Sequence, residues 1–194
     1  TPTMFLDAKG NVVSGRSVDS YLGVGVPGTV MGLDTALKTY GTMTRQQVMA
    51  PAIALAGDVY VLEPGDTAIL DAHAGKFAQY PNVARIFLNR GEPYVAGPRL
   101  DPTPLAHTLQ SIERGGAKAF SQGPIARAVV QASVAHGGIL SMQDFADYSV
   151  EWETPVACRY HGYTVVSAPP PSSGGTTLCE ILQILQPYPL ATWG

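Results

Sequence analysis

The sequence predicts an α/β chain of the α+β kind: helices over the first three quarters, then a β-hairpin and one further helix. Apolar residues recur at three- and four-residue spacing as far as about residue 147, and from Tyr148 the period drops to two. The 21 glycines and 16 prolines fall between the periodic stretches, where they punctuate elements. A 45% hydrophobic fraction in 194 residues is enough for a core and excludes a wholly disordered chain. A single incomplete domain is expected, 1–147 mainly helical and 148–194 β-β-α.

Element by element, Asp7-Ala8-Lys9-Gly10-Asn11 is a turn between Met4-Phe5-Leu6 and Val12-Val13. Ser17–Leu22 is a weak strand candidate. The first helix is expected from about Pro27-Gly28-Thr29 to Tyr40, with Pro27 in the first turn and Gly41 as the stop. Thr44-Arg45-Gln46-Gln47 has capping-box form and opens a second helix that Gly57 ends. A third covers Pro64 to Ala78, and Asn89–Pro93 is a turn. Helicity resumes at Asp101-Pro102-Thr103-Pro104, with Leu105, Thr108, Leu109 and Ile112 on one face and Gly115-Gly116 as the stop. Pro124 to Ala135 is helical, and Ser141 caps a short turn through Ala146. Tyr148, Val150, Trp152, Thr154 and Val156 alternate with mostly polar neighbours as a strand, and Tyr160-His161-Gly162 leads into the strand Tyr163–Ser167. Pro169-Pro170-Pro171 ends that strand by Ala168, and a helix begins between Ser173 and Thr177 and runs to Leu185.

Twelve Lys and Arg against fifteen Asp and Glu give a net charge of −3. That leaves no basic excess for a run of phosphates or an anionic membrane. No apolar run reaches the roughly 18 residues of a membrane helix. Charged residues are 14%, against about 25% in ordinary domains, so part of the surface is expected to be covered by a partner chain or further sequence. The opening Thr1-Pro2-Thr3 and the stop at Trp193-Gly194 carry the same expectation, a piece of a longer protein. Cys158 and Cys179 form no C-x-x-C; they are expected as small buried apolar residues and leave the redox compartment open.

Motifs for chemistry are sparse. Gly23-Val24-Gly25-Val26-Pro27-Gly28 matches G-x-G-x-x-G by letter, but no acidic residue stands about 20 positions on, so a tight loop feeding a helix is expected instead of a dinucleotide site. Thr1 is an N-terminal threonine without a strand pattern around it, and is not expected to act as a nucleophile. His73, His107, His136 and His161 are isolated, and no metal site is expected. Ser172-Ser173-Gly174-Gly175 is the most suggestive segment. It joins a strand to a helix, so its amides could bind a carboxylate or oxyanion; the alternative is plain helix capping by Ser172 or Ser173, with glycines for close packing.

Four segments resemble the γ-glutamyltranspeptidase family: Gly25–Leu33, Gln47–Ala56, Gly137–Tyr148, and Gly162–Gly175 with its Pro-Pro-Pro-Ser-Ser-Gly-Gly run. Their order and spacing cover nearly the whole chain. The resemblance implies an N-terminal-nucleophile hydrolase fold, an αββα sandwich, of which this chain is the middle to later part of the large subunit. It implies a precursor that cleaves itself, and a small subunit whose new N-terminal threonine attacks γ-glutamyl amides such as glutathione. The γ-glutamyl group then passes to water, an amino acid or a peptide. No cofactor is implied, and the location is periplasmic or secreted.

The family's nucleophile segment has no match here, nor has its arginine for the substrate carboxylate. The chain alone is therefore expected to hold no catalytic residue and to be inactive. Ser172, Ser173, Gly174 and Gly175 are expected to support the active site without touching substrate. Gly174→Val is expected to harm maturation or folding more than substrate affinity, because a β-branched side chain would collide with the sheet or strain the backbone. Alternatives are a cephalosporin-acylase-like or oxamate-amidohydrolase-like relative, or a non-catalytic scaffold or binding module.

Overall fold

The structure, a computed structural model, describes residues 3–58, 60–97, 99–100 and 104–193. Contacts divide the chain into two compact units, Thr1–Val150 and Glu151–Gly194.

The first unit opens with a bridge between Leu6 and Val12 across the expected turn. Asp7 Oδ1 accepts the amides of Lys9 (2.8 Å) and Asn11 (2.9 Å), which closes it. Where Ser17–Leu22 was expected extended, Tyr21–Gly23 is a 3₁₀ turn, because the Ser20 hydroxyl accepts from the Leu22 amide at 3.2 Å and starts it. Helix α1 is Thr29–Tyr40. Gly28 is its N-cap, so Pro27 stands just outside the helix and not in its first turn. A Cβ at Gly28 would overlap the Tyr148 hydroxyl, which makes this glycine a packing residue.

Helix α2, Arg45–Gly57, starts with the full capping box: Gln47 N–H to Thr44 Oγ1 at 3.2 Å and Thr44 N–H to Gln47 Oε1 at 2.8 Å. The pair β1 (Tyr60–Val61) and β2 (Arg99–Leu100) is antiparallel and encloses α3 (Pro64–Phe77) and α4 (Pro81–Phe87). The sequence pattern did not indicate α4. Seven residues hold too few turns for a period, and Pro81 at its first position is the one local signal. Phe77 and Phe87 meet at 5.4 Å between ring centroids, and Leu62 and Leu88 are buried nearby in the chain.

Helix α5 is Pro104–Gly115; its expected start at Asp101–Thr103 lies outside the described residues. Gly115-Gly116 ends α5 as expected, but α6 (Ala117–Ser121), which the sequence pattern did not indicate, follows at once. Gly116 takes φ +64°, which only glycine adopts without strain, and so turns the chain into a new helix instead of releasing it. Helices α7 (Pro124–Ala135) and α8 (Met142–Asp147) follow. The Ser133 hydroxyl, buried at the end of α7, accepts the Leu140 amide at 3.2 Å and fixes the intervening turn. Ala126, Leu140 and Phe145 form part of the buried core.

The second unit is a hairpin with a helix on it. β3 (Val156–Tyr160) and β4 (Tyr163–Ser167) pair antiparallel from Val156–Ser167 to Tyr160–Tyr163. His161 and Gly162 both have positive φ, as a two-residue hairpin turn demands. The strand expected from Tyr148 begins only at Val156. Beyond Ala168 the opposite strand runs into three prolines without amide hydrogens, which do not extend the ladder. Helix α9, Gly174–Leu185, packs on both strands.

Candidate functional site

The segment from Ala168 to Gly175 is built by the end of β4, the three prolines and the start of α9. The strand ends at Ser167 and the helix begins at Gly174, both within the expected limits. The Ser172 amide donates to the Pro169 carbonyl at 3.1 Å, and the Thr177 amide to the Ser173 carbonyl at 3.0 Å. Ser173 is the N-cap, but its side chain makes no cap hydrogen bond, so capping by Ser173 is not realised. An uncapped helix N-terminus presents amide hydrogens and the positive end of the helix dipole, chemistry suited to a carboxylate or oxyanion.

The two glycines differ. Gly175 is buried, and a Cβ there would overlap the Ala168 carbonyl oxygen and press on Ser167 Cβ at 3.0 Å. Gly174 has only Ser172 Oγ at 3.7 Å, ordinary contact. The collision expected at Gly174 therefore belongs to Gly175, which faces the hairpin while Gly174 faces outward. One turn on, Cys179 is bonded to Cys158 of β3, with Cα atoms 5.9 Å apart. This corrects the expectation of two separate apolar cysteines: a position near the middle of β3 and one on the inward face of α9 meet, which their 21-residue separation does not reveal.

In the first unit the chief polar cluster centres on Asp34 of α1, whose side chain is 5% exposed. Its Oδ1 accepts from Arg45 Nε and pairs with Arg45 Nη2, each at 2.8 Å. Its Oδ2 accepts from Lys38 Nζ at 2.8 Å and from the Ala117 amide at 3.1 Å. Arg45 Nη1 also donates to the Glu113 carbonyl at 3.2 Å. Burial raises the Asp34 carboxyl, but the Lys38, Ala117 and Arg45 hydrogen bonds outweigh it and hold the group below the ordinary carboxylate value. With both oxygens engaged, the cluster is a joint between α1, α2, α5 and α6, not a free base.

The structure does not bring the histidines together. His73 Nδ1 lies 2.9 Å from the Ile69 carbonyl within α3, and His136, the C-cap of α7, has Nδ1 2.8 Å from the Ala132 carbonyl. His136 also stacks on Tyr21, and His161 meets the Tyr160 ring edge-on. His107 lies on α5. Among the described residues no three His, Cys, Asp or Glu side chains form a metal-holding group. Thr1 lies outside the described residues. The glycine-rich Gly23–Gly28 follows a 3₁₀ turn and not a strand, so it lacks the setting of a dinucleotide loop.

The gamma-glutamyltranspeptidase family model matches residues 1–194. The glutathione hydrolase proenzyme of Pseudomonas sp. (strain A14) is 46% identical over 195 residues, which take in 100% of this chain and 34% of that relative. The acylase ACY 1 proenzyme of Pseudomonas sp. (strain SE83) is 33% identical over 184 residues, 95% of this chain and 32% of that one. The crystal structure of Helicobacter pylori gamma-glutamyltranspeptidase superimposes with a TM-score of 0.91 at 39% identity, covering 100% of this chain and 56% of that chain. The chain thus spans about a third of the length of the curated relatives it matches.

Proposed function

Because the chain belongs to the gamma-glutamyltranspeptidase family, we propose that it is the middle to later part of a large subunit, one incomplete domain of a self-cleaving γ-glutamyltransferase and glutathione hydrolase. The complete protein cleaves γ-glutamyl amides such as glutathione and passes the γ-glutamyl group to water, an amino acid or a peptide. The observation that carries this is the family match over all 194 residues, together with 46% identity to a glutathione hydrolase proenzyme three times as long.

In this reading the nucleophile is the N-terminal threonine of a small subunit, the partner of this chain. Its hydroxyl attacks the γ-carbonyl carbon while its own amine takes the proton. This chain supplies no reacting group. Ser172, Ser173, Gly174 and Gly175 support the active site from outside the substrate's contact shell, with Gly175 setting how closely α9 approaches the hairpin. The outer faces of α9 support a partner over this unit. Gly175, Cys179 and Leu182 of α9 face the hairpin, yet Leu178, Ile181 and Ile184 on its other sides are exposed. Only the side carrying Thr176, Glu180 and Gln183 is polar, and exposed apolar faces on the remaining sides are normally covered. The Cys158–Cys179 bond supports a periplasmic or secreted location, where disulfides persist. Among the described residues no helix is long and apolar enough to cross a membrane.

The test is expression of the longer protein and of this chain alone, with a γ-glutamyl anilide as substrate and a denaturing gel for processing. Two bands with anilide release, and no release by the chain alone, are expected. Release by residues 1–194 free of full-length enzyme would overturn the assignment of the nucleophile to another chain. The likeness to acylase ACY 1 favours one second reading, an acylase of the same family. Processed protein that turns over a cephalosporin side-chain amide and no γ-glutamyl anilide would select it.

A further inference from the structure

We propose that the Cys158–Cys179 disulfide is a thiol-sensitive latch that holds the Pro169–Gly175 turn in place through α9. The inference stands on the geometry of the second unit and does not depend on the proposed activity. Gly175 and Cys179 are the buried residues of α9, four positions apart and so on one face of the helix. The face that sets Gly175 against the Ala168 carbonyl is the face that Cys179 ties to β3. Among the described residues of Glu151–Gly194 no other side chain is buried. A unit of this length is close to the size, about 40 residues, below which a covalent tie usually replaces a core. The turn has few other anchors, since Ser172, Ser173 and Gly174 are all exposed and Ser173 makes no cap hydrogen bond. Position of the turn therefore follows position of the helix, and the helix, which packs on both strands, is cross-linked to the hairpin at Cys179.

Opening needs two equivalents of a small-molecule thiol. The first thiolate bonds to Sγ of Cys158, the more exposed partner, and the sulfur–sulfur bond breaks. Cys179 leaves as a thiolate and takes a proton. A second thiolate attacks the small molecule's sulfur in the mixed disulfide, which releases the small-molecule disulfide and the Cys158 thiolate. The two electrons come from the two thiols.

The test uses the longer protein that contains these 194 residues, alkylated under denaturing conditions with and without prior dithiothreitol and digested, so that labels are counted on the peptides carrying Cys158 and Cys179. Amide hydrogen exchange is then followed in native buffer for the oxidised chain, the reduced chain, and the variants Cys158→Ala/Cys179→Ala and Cys158→Ser/Cys179→Ser. No alkyl label without reductant and two with it are expected. On reduction, exchange across 168–180 is expected to rise about tenfold or more while α7 is unchanged, as for a local opening. Two labels without reductant would overturn the proposal. So would a bond whose opening leaves exchange at 168–180 unaltered. If the double variants do not fold, reduction of the native chain alone decides between these results.

Discussion

Asp34→Ala is the most informative perturbation of the first unit, because one carboxylate joins four elements. Removing it leaves the Ala117 amide without its acceptor, and because that donor is only part-buried the loss is about 1–2 kcal/mol, the lower part of the range for a buried donor. Arg45 loses its charge partner at both Nε and Nη2. A fully buried pair broken this way costs about 3–5 kcal/mol, but the Arg45 side chain is 25% exposed and keeps the Glu113 carbonyl, so about 1–2 kcal/mol is the fitting share. Lys38 is 65% exposed and adds at most about 0.5 kcal/mol. The total, about 2–4.5 kcal/mol, corresponds to a fall in melting temperature of roughly 4–18 °C for a chain of this size. Asp34→Asn keeps the shape but turns an amide NH₂ toward a cation, and is expected to lose about two thirds as much.

Acid supplies an independent check on the same joint. The folded Asp34 carboxyl lies below its ordinary value, so the folded state binds this proton less readily than the unfolded chain. Its stabilisation is then complete above the unfolded value, about pH 4, and is lost as the pH falls through the lower folded value. The difference in stability between wild type and Asp34→Asn should be constant from pH 7 to about pH 5 and shrink below about pH 4. Urea unfolding followed by circular dichroism at several pH values measures both. An Asp34→Ala chain within about 1 kcal/mol of wild type, or a difference that does not change in acid, would refute the joint.

Two further changes test the local packing. Gly175→Ala should destabilise the second unit by about 1–3 kcal/mol, because its Cβ meets a backbone carbonyl that cannot rotate away, while Gly174→Ala should be near neutral; urea midpoints compare them, and equal losses would remove the distinction. Ser141→Ala takes away the hydroxyl, one of the two donors of residue 141 that hold the Asp144 carboxyl below its ordinary value, and leaves the backbone amide, so its titration should move upward by NMR, with a melting shift of about 2–4 °C.

What was legible in the sequence was what lies within about four residues. The Thr44 capping box, the Ser141 cap, the Asp7–Asn11 turn and the Pro169–Ser173 exit all rest on neighbours of that range, and the structure has each of them. The misses share the opposite property. Asp34 meets Arg45 across 11 residues and the Ala117 amide across 83, and Arg45 reaches the Glu113 carbonyl across 68. The i,i+4 pairing of Asp34 with Lys38 was the one local hint, and that pattern usually marks a solvated face. Gly115-Gly116 ends α5 as expected, and shows how a local rule can be right and still incomplete. Two glycines license a stop, but whether the chain leaves the helix or folds into the next one depends on the space beside Arg45, where a Cβ at Gly116 would come within 2.6 Å of its Nη2.

The same distinction bears on where function sits in this chain. Strong local signals cluster at Ser172–Gly175, and they specify a shape: a strand exit, an uncapped helix start and a glycine pressed on a carbonyl. A shape of this kind can aim amide hydrogens, but it holds no group that can give or take a proton during acyl transfer, since serine hydroxyls need an adjacent base and none of the four histidines lies in this segment. Chemistry at this turn therefore has to come from groups outside it. The exposed Leu178, Ile181 and Ile184 on the far sides of α9 give those groups a surface on which to be carried.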